Sequence, residues 1–333
     1  MPIDFVVTWV DNSDAAWQAS FAKYFDGDVT NRIRNRYRQA DTLPLWFRLV
    51  ERFAPWVNRV FLVTNGQEPQ GLDTSLPLTI VHHDDFMPKD ILPTFSSIAI
   101  EMYLHRIPGL AEQFVYFNDD MFITGPVEPE YYFRNGLPVV HNQEQPIPLP
   151  IYDDNIEYGA ALRAFCNVAV INKHFDRRKV YEQSLRQDGI DRWHGQHLTD
   201  DERKYYDRMA QCPRFGIFAE HHTGRRLLKS TYEELWQKEP GLLRKASGRF
   251  RSDMGINIPL FSAWQIASNR FYPDTVGYDK LRIDVQPKEM GRVIAAIHHP
   301  VVKSLCLNDS PFVSDNDYDE MMAVIRDELQ SLL

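Results

Sequence analysis

The sequence has few cysteines and no excess of positive charge. Its three cysteines, Cys166, Cys212 and Cys306, form no Cys-x-x-Cys pair, so neither a zinc cluster nor a disulfide framework is indicated and reduced thiols are predicted. The 333 residues carry a formal net charge of −9, whereas a general nucleic-acid-binding protein would present a basic face. An anionic substrate of this protein would therefore need a local basic pocket.

Long apolar runs are also missing. No stretch of about 18 apolar residues occurs, which is the length that a membrane-spanning helix requires. The N-terminus leads directly into a predicted strand, without the basic and apolar regions of a secretory signal. These absences predict a cytoplasmic protein.

Several motifs of nucleotide and hydrolase chemistry do not occur. The sequence has no Gly-x-Gly-x-x-Gly after a strand, no P-loop, no Gly-x-Ser-x-Gly and no His-Glu-x-x-His, so dehydrogenase, P-loop kinase, serine hydrolase and zinc protease classes lack their motifs. Phosphates would have to be bound by side chains, and the planar guanidinium of arginine suits phosphate oxygens. Two arginine clusters are available, one at residues 32–38 and one at residues 249–251.

What the sequence does contain is an alternation of strands and helices. The predicted elements are strand 3–10, helix 43–53, strand 59–64, strand 78–81, helix 96–105 and a strand that begins at Phe114. This alternation predicts an α/β fold with a Rossmann-like, GT-A-like, mainly parallel sheet flanked by helices. The hydrophobic fraction of 44% is sufficient for one large core, so we expect a single catalytic domain over residues 1–333.

Two segments are expected to be helical additions to this sheet. Residues 174–214 are highly charged and predict an inserted helical subdomain. Residues 318–333 form an amphipathic pattern and predict a C-terminal helix. Its apolar stripe fits a core-facing surface, and it also fits peripheral docking on a membrane or on a partner.

The most informative segment is 114–122, an apolar and β-prone run that leads into Asn118, Asp119 and Asp120. In open α/β sheets, ligands bind at the carboxyl edge of the strands, and hard oxygen ligands there suit Mg²⁺ or Mn²⁺ bound to a diphosphate. The alternative is a hairpin turn, because Asn and Asp tolerate turn conformations. This segment alone leaves both interpretations open.

Four segments, taken in order, resemble the Stealth proteins, a family that includes bacterial capsule sugar-phosphate transferases and the catalytic subunit of lysosomal-enzyme GlcNAc-1-phosphotransferase. The first segment is residues 3–14, and the second runs from Arg36 to Asp120. The third includes His222 and residues 249–251, and the fourth is residues 305–309. The similarity extends over nearly the whole chain.

The resemblance implies a sugar-1-phosphate transferase. Such an enzyme moves a hexose 1-phosphate, with GlcNAc 1-phosphate as the best guess, from a UDP-sugar donor to a hydroxyl group of a saccharide acceptor. UMP leaves, and a phosphodiester forms. The implied setting is capsule or exopolysaccharide biosynthesis at the inner face of the plasma membrane.

The resemblance also suggests a metal site. As a hypothesis, Asp120 and Asp309 coordinate a divalent ion that bridges the diphosphate, with Asn308 completing the ligand set. Asn118 and Asp119 would orient or complete this ligand set; Asp119 and Asp309 are also candidate catalytic residues, and Asn118 would contact the donor. Hard oxygen ligands fit Mg²⁺.

Phosphoryl transfer further needs a base and positive charge. His222 is the candidate general base on the acceptor hydroxyl, because the pKa of imidazole lies near working pH. Arg249 and Arg251 are expected to stabilise the transferred phosphate. For a lone histidine, a structural role is the alternative.

The donor nucleotide is expected over the end of the first strand. Its base and ribose would lie near residues Thr8, Trp9, Val10 and Asp11. Arg36 and Arg38 would contact its phosphates, and ordinary surface arginines are the alternative for both.

Two rival functions stay open. A metal-dependent glycosyltransferase of similar architecture would cleave the bond between sugar C1 and oxygen and release UDP. A non-catalytic carbohydrate-binding assembly subunit would retain the fold without turning over a donor.

Overall fold

The computed structural model describes residues 1–27, 37–38, 40–145, 156–184, 186–190, 192–193, 200–201, 204, 207–208, 211–219, 221–252, 255–274 and 279–333. The strands are β1 (Ile3–Thr8), β2 (Arg59–Thr64), β3 (Leu78–His82), β4 (Gln113–Asn118), β5 (Met121–Ile123), β6 (Phe133–Arg134), β7 (Leu137–Val140), β8 (Glu144–Gln145), β9 (Ile217–Phe218), β10 (Arg225–Leu228), β11 (Tyr272–Pro273), β12 (Lys280–Val285) and β13 (Ser304–Asp309). The helices are α1 (Ala15–Tyr24), α2 (Leu43–Phe53), α3 (His83–Phe86), α4 (Ser97–Glu101), α5 (Ile156–His174), α6 (Arg177–Ser184), α7 (Lys229–Lys238), α8 (Pro240–Ala246), α9 (Pro259–Ala267), α10 (Met290–Ile297) and α11 (Asp315–Gln330). Single 3₁₀ turns lie at Lys89–Ile91, Leu104–Arg106, Pro129–Tyr131 and Pro287–Glu289.

The central sheet has the strand order β3-β2-β1-β4-β10. β1, β2, β3 and β4 are parallel, and β10 is antiparallel to β4. The four parallel strands thus have the 3-2-1-4 order of doubly wound folds, in which ligands bind outside the carboxyl ends at the point where the strand order reverses. The predicted mainly parallel α/β sheet is confirmed, and the reversal lies between β1 and β4.

Successive residues of the central strands are buried on opposite faces of the sheet. Phe5 and Phe117 belong to one hydrophobic core, which α2, α10 and α11 help to form. Val6 and Tyr116 belong to a second core, to which α7 and α9 contribute. Because side chains alternate along a strand, a strand covered on both faces is apolar at nearly every position. The two cores therefore explain the unbroken apolar runs in β1 and β4.

The chain leaves β4 at Asn118 and enters a second sheet, of order β12-β13-β5, at Met121. β4 pairs with β1 and β10, whereas β5 pairs antiparallel with β13, with Met121 opposite Cys306. Asp119 and Asp120 thus connect the two sheets. Asp119 and Asp120 do form a turn, but it does not close a hairpin, because β4 and β5 belong to different sheets.

Most predicted elements occur close to their predicted bounds. α2 and β2 match residues 43–53 and 59–64, while β1 ends at Thr8 instead of residue 10. The predicted helix 96–105 is wrong in length, since it consists of the short α4 and a separate 3₁₀ turn. Residues 98–105 are all buried, a pattern that a single helix with one apolar face does not give.

The two predicted helical additions differ in what the structure describes. α6 lies inside the segment 174–214, but much of that segment is outside the described residues, so the insertion stays a prediction. The C-terminal helix α11 begins at Asp315, before the predicted residue 318, because the hydroxyl of Ser314 accepts the Asp317 N–H (3.2 Å) and caps it. Its buried residues, Tyr318, Met321, Met322, Ile325 and Leu329, pack in the core. Among the described helices, none combines the length and apolar composition needed to cross a bilayer.

Gly224 lies where the chain entering β10 approaches the Phe117 ring. A Cβ atom at this position would stand 2.5 Å from Cε1 of that ring, which is fully buried and packs on Phe5 and Trp46 with centroids 5.0 and 5.5 Å away. Because the ring has no space to move, we predict that Gly224→Ala lowers the free energy of unfolding by about 1–3 kcal/mol. Thermal denaturation followed by circular dichroism measures this effect as a lower Tm.

Gly241→Ala is the matched control. A Cβ atom there meets no heavy atom within 4 Å, and the residue lies in α8, where alanine is favoured over glycine. The control variant should keep or raise the Tm. Equal Tm values for the two variants would contradict the close approach at Gly224.

Candidate active site

A cavity of about 600 Å³ opens at the carboxyl edge of the central sheet, beside the ends of β1 and β4. This volume lies within the range of small-molecule binding sites. The predicted site residues that line it are Thr8, Trp9, Val10, Arg38, Asn118, Asp119, Asp120, His222, Arg251, Asn308 and Asp309. Segments that are far apart in the chain therefore face one cavity.

The carboxylates of this cavity come from two distant strands. Asp119 and Asp120 lie between β4 and β5, whereas Asp309 ends β13. The pairing of β5 with β13 aligns them, because the Leu307 N–H donates to the Asp120 carbonyl oxygen (2.9 Å) only two residues before Asp309. Asp120 and Asp309 thus meet at one cavity, as the metal hypothesis requires.

Burial and mutual repulsion raise the pKa values of two of these acids. The pKa of Asp119 is raised to about 7 by burial and by the neighbouring Asp120 carboxylate. The pKa of Asp309 is raised to about 6, chiefly by burial, and the positive charge of Arg38 only partly offsets this. Asp120 adds to the increase at Asp309 as well. Full ionisation of this cluster at neutral pH therefore requires positive charge nearby.

Asp120, His222 and Cys306 form a compact group in which one ligand atom of each residue lies within 4.8 Å of the others. Oδ1 of Asp120 is buried and has no hydrogen-bond partner in the described part of the chain, while Oδ2 accepts the Cys306 thiol at 3.5 Å. Burial and the Asp120 charge raise the pKa of that thiol, so it donates to Asp120 as a neutral thiol. The sequence analysis predicted Cys306 only as a reduced thiol.

The donor set fits a hard divalent cation. The amide nitrogen of Asn308 donates to Asp284 (2.7 Å) and to the carbonyl oxygen of Asp309 (3.1 Å), which leaves its amide oxygen as the ligand atom. Together with carboxylate oxygens of Asp120 and Asp309, it offers the ligand type that Mg²⁺ and Mn²⁺ prefer. A cation would provide a partner for the unpartnered Oδ1 of Asp120. It would also stabilise the ionised form of Asp309, whose pKa is otherwise raised.

A hydrogen-bond chain fixes the adjacent ends of β1 and β4. The hydroxyl of Tyr116 lies 3.0 Å from Oγ1 of Thr8 and donates to Oδ1 of Asn118 (2.8 Å). Thr8 and Asn118 are also register partners in the sheet. Asn118 therefore has a fixed side-chain orientation next to the acids, which agrees with its predicted orienting role.

Arg38 lines the cavity beside the acids. Its guanidinium is 3.6 Å from Asp309 and 3.2 Å from Asp315, donates to the Val313 carbonyl oxygen (3.3 Å) and stacks on the Tyr318 ring, 4.4 Å from the centroid. These contacts position Asp309. Arg36, the other predicted phosphate ligand of this segment, lies outside the described residues.

The two arginines of the segment 249–251 have different surroundings. Arg251 lines the cavity and donates to the Ser97 hydroxyl (2.6 Å). Arg249 donates to the carbonyl oxygens of Pro93 (2.9 Å) and Leu92 (3.2 Å) and stacks on Tyr24, and it is not among the lining residues. These contacts favour a structural role for Arg249, so its predicted phosphate role has no geometric support.

Asp11 likewise shapes a loop instead of lining the cavity. Its carboxylate accepts the backbone N–H (2.8 Å) and hydroxyl (2.7 Å) of Ser13, and its backbone exchanges hydrogen bonds with the Gln67 side chain (2.9 and 2.7 Å). Thr8, Trp9 and Val10 keep the predicted position at the cavity. Asp11 holds the loop that follows them.

Sequence reasoning did not predict a buried charge cluster in the same cavity. Glu101 is 5% exposed, and burial raises its pKa while the charges of Arg251 and Arg225 lower it. Arg225, at the start of β10, donates to the Ser262 hydroxyl (3.3 Å) and lines the cavity. Arg163 on α5 is a further buried cation of the lining. An arginine in the middle of an apolar helix was the signal that could have revealed Arg163.

A comparison with solved structures finds a galactosyltransferase, LgtC, in complex with donor and acceptor sugar analogues. The alignment covers 99% of this chain and 100% of that chain, with 9% sequence identity and a TM-score of 0.35. A TM-score of this size is too low to support a structural relationship. The fold assignment rests on the order and direction of the strands.

Sequence comparisons are more informative. Residues 1–27 match the model of Stealth protein CR1, conserved region 1, and residues 36–140 match that of Stealth protein CR2, conserved region 2. The capsular polysaccharide phosphotransferase WcwK of Streptococcus pneumoniae is 36% identical over 95% of this chain and 92% of its own length. The receptor polysaccharide phosphotransferase WefC of Streptococcus oralis is 35% identical with the same coverages, and the exopolysaccharide phosphotransferase cps2G of Lactiplantibacillus plantarum is 31% identical over 99% and 94%. The chain belongs to the Stealth protein family.

Proposed function

We propose that this protein transfers a hexose 1-phosphate, with GlcNAc 1-phosphate as the first candidate, from a UDP-sugar to a hydroxyl group of a saccharide acceptor. Its relatives are named as polysaccharide phosphotransferases, and the protein is a transferase that acts on sugar phosphate. The acceptor oxygen bonds to the phosphorus that carries the sugar. The bond from this phosphorus to the bridging oxygen breaks, and UMP leaves with that oxygen.

The observation that carries the proposal is the convergence of Asp119, Asp120 and Asp309 on the cavity that His222 and Arg251 also line. Phosphoryl transfer needs charge neutralisation, alignment of the attacking hydroxyl and a proton acceptor, in a site that limits water. A cavity with acids, a histidine and arginines on its walls provides groups for each of these tasks.

His222 is the proposed general base. Its imidazole lies within 4.8 Å of the Asp120 carboxylate, at the same part of the cavity as the proposed metal ligands, where it would accept the proton of the acceptor hydroxyl. Arg251 would stabilise the negative charge of the transferred phosphate. Glu101 and Ser97 hold this arginine in place.

Asp120, Asp309 and Asn308 are the proposed ligands of Mg²⁺ or Mn²⁺, and Asp119 and Asn118 would orient them. When bound, the cation would supply positive charge to the diphosphate of the donor. Arg38, through its ion pair with Asp309, would position one of these ligands. Thr8, Trp9 and Val10 would form the wall for the nucleotide.

The released nucleotide tests the reaction directly. We predict that incubation with UDP-GlcNAc, Mg²⁺ and a saccharide acceptor gives UMP, with phosphate retained in the acceptor product, as measured by chromatography and mass spectrometry. Asp309→Asn should lose most of this turnover, because it removes one charged ligand. Stoichiometric UDP would instead indicate a glycosyltransferase, and binding without turnover of any nucleotide sugar would indicate a non-catalytic subunit.

Removal of the proposed base should lower kcat. We predict that His222→Ala reduces kcat by about 100-fold or more with little change in the KM for the donor, since general base catalysis contributes about 10²–10⁴-fold. His298→Ala is the matched control, because that ring is 42% exposed and pairs with Glu328 on α11. If both variants kept wild-type kcat, His222 would not be the base.

The raised pKa values of Asp119 and Asp309 predict a pH-dependent effect of Mg²⁺. Both carboxyl groups have folded-state pKa values, about 7 and about 6, above their ordinary 3.8. Without a cation, the ionisation of these groups therefore lowers the free energy of unfolding as pH rises through these values. The lost stability returns as pH falls toward 4. Mg²⁺ binds the ionised forms, so the increase in Tm on adding Mg²⁺ should be larger near pH 8 than near pH 5.

Thermal denaturation with Mg²⁺ or with EDTA across this pH range measures the effect. Asp309→Asn should reduce the Mg²⁺-dependent increase at the higher pH. An increase that is independent of pH would contradict the proposed ligand set.

A further inference from the structure

A second, smaller cavity lies behind the segment that carries His222. Its volume is about 50 Å³, enough for one or two groups of the size of water, and it shares the wall residues Phe218, Arg225 and Ala263 with the larger cavity. Thr223, Arg226 and Lys280 line it together with His221. None of these four residues has a role in the proposed reaction.

Arg226 contributes a buried guanidinium to the lining of this smaller cavity. The residue is 7% exposed, and its Nη1 donates to the carbonyl oxygen of Gly224 (2.9 Å). Its Nε and Nη2 atoms are buried and have no hydrogen-bond partner in the described part of the chain. The rings of Tyr131 and Tyr132 cover it, with centroids 5.2 and 5.1 Å from Cζ. A buried cation with unused N–H donors is unfavourable unless a further acceptor is present.

The nearby acids are directed to another cation. Asp274 and Asp279 both accept from Nζ of Lys280, at 2.8 and 3.2 Å. Arg226 thus has no carboxylate partner among the described residues. The pKa of His221 is lowered, first by burial and then by His141, Lys280 and Arg226 against a single opposing acid, Asp274. The lining contains three cationic side chains, Arg225, Arg226 and Lys280, and one acid, Asp274, so its net charge is positive.

Thr223 adds a third unused donor. It is 2% exposed, and its hydroxyl group has no hydrogen-bond partner in the described structure. Arg226 and Thr223 therefore both line the small cavity, and both have buried donors without a hydrogen-bond partner in the described residues. A neutral water molecule could accept two of these hydrogen bonds, but it would leave the positive charge of Arg226 without a counter-charge.

We infer that the cavity bordered by Thr223 and Arg226 is a binding site for a small monovalent anion of the halide class. The anion would accept from Nε and Nη2 of Arg226 and from the Thr223 hydroxyl group. Its volume and its short list of donors distinguish it from the larger cavity, where the proposed diphosphate would bind. Because Thr223 and Arg226 are next to His222 and Arg225 in the chain, an occupied site would also stabilise the segment that forms this wall of the larger cavity.

Thermal denaturation at constant ionic strength tests the inference. Replacing sodium gluconate by sodium chloride or bromide should raise the Tm of the full-length protein by about 2 °C, because an anion that binds only the folded state stabilises it. Arg226→Met should abolish the halide-dependent shift. Arg292→Met is the matched control, since that side chain is 61% exposed and pairs with Glu289 at the surface, and it should keep the shift.

Thr223→Val provides a second variant in case Arg226→Met does not fold. It removes one donor with almost no change of volume and should reduce the halide-dependent shift. Crystals grown in bromide should show an anomalous peak within hydrogen-bond distance of Arg226. Any of three results would overturn the inference: the same wild-type Tm in halide and in gluconate, a shift that persists in Arg226→Met, or water in place of bromide at the site.

Discussion

The antiparallel pairing of β5 with β13 is the contact on which the candidate active site depends. It joins the residues that follow β4 to a strand almost two hundred residues later. The hydrogen bond from Leu307 to Asp120 sets the register of the two strands. Asp120 and Asp309 meet at the cavity through this pairing, because Asp120 precedes β5 and Asp309 ends β13. A shift by one residue would turn every side chain of β5 to the other face and separate the carboxylates.

This arrangement concentrates negative charge in a buried place. Burial and repulsion raise the pKa values of Asp119 and Asp309, so the site is electrostatically unfavourable by itself. The surrounding structure compensates with arginines whose positions are fixed by partners. Arg38 contacts Asp309 and Asp315, while Arg225 and Arg251 face the buried Glu101. Although its net charge is −9, the protein can therefore present a local basic wall to the proposed anionic donor.

The segment 221–226 links two cavities of different size. His222 and Arg225 border the larger one, and Thr223 and Arg226 border the smaller one. Gly224 lies between these residues and lets the backbone approach the Phe117 ring of β4 closely. The contact of Gly224 with the Phe117 ring thus positions the residues on both sides of the segment. The position of the proposed base, His222, therefore depends on the packing around the smaller cavity.

From the amino-acid sequence alone, we predicted the parallel strands, the acids at the end of β4 and the family. Unbroken apolar runs indicate strands buried on both faces, and motifs in a fixed order are readable without coordinates. The sequence did not separate Arg251 from Arg249, because both lie in one short motif and only their surroundings differ: one lines the cavity, and the other donates to the carbonyl oxygens of Pro93 and Leu92. The tertiary structure alone decided that Cys306 contacts Asp120 and that Glu101 faces two arginines. Periodicity and propensity describe neighbours along the chain, whereas strand pairing, burial and pKa depend on residues that only folding brings together.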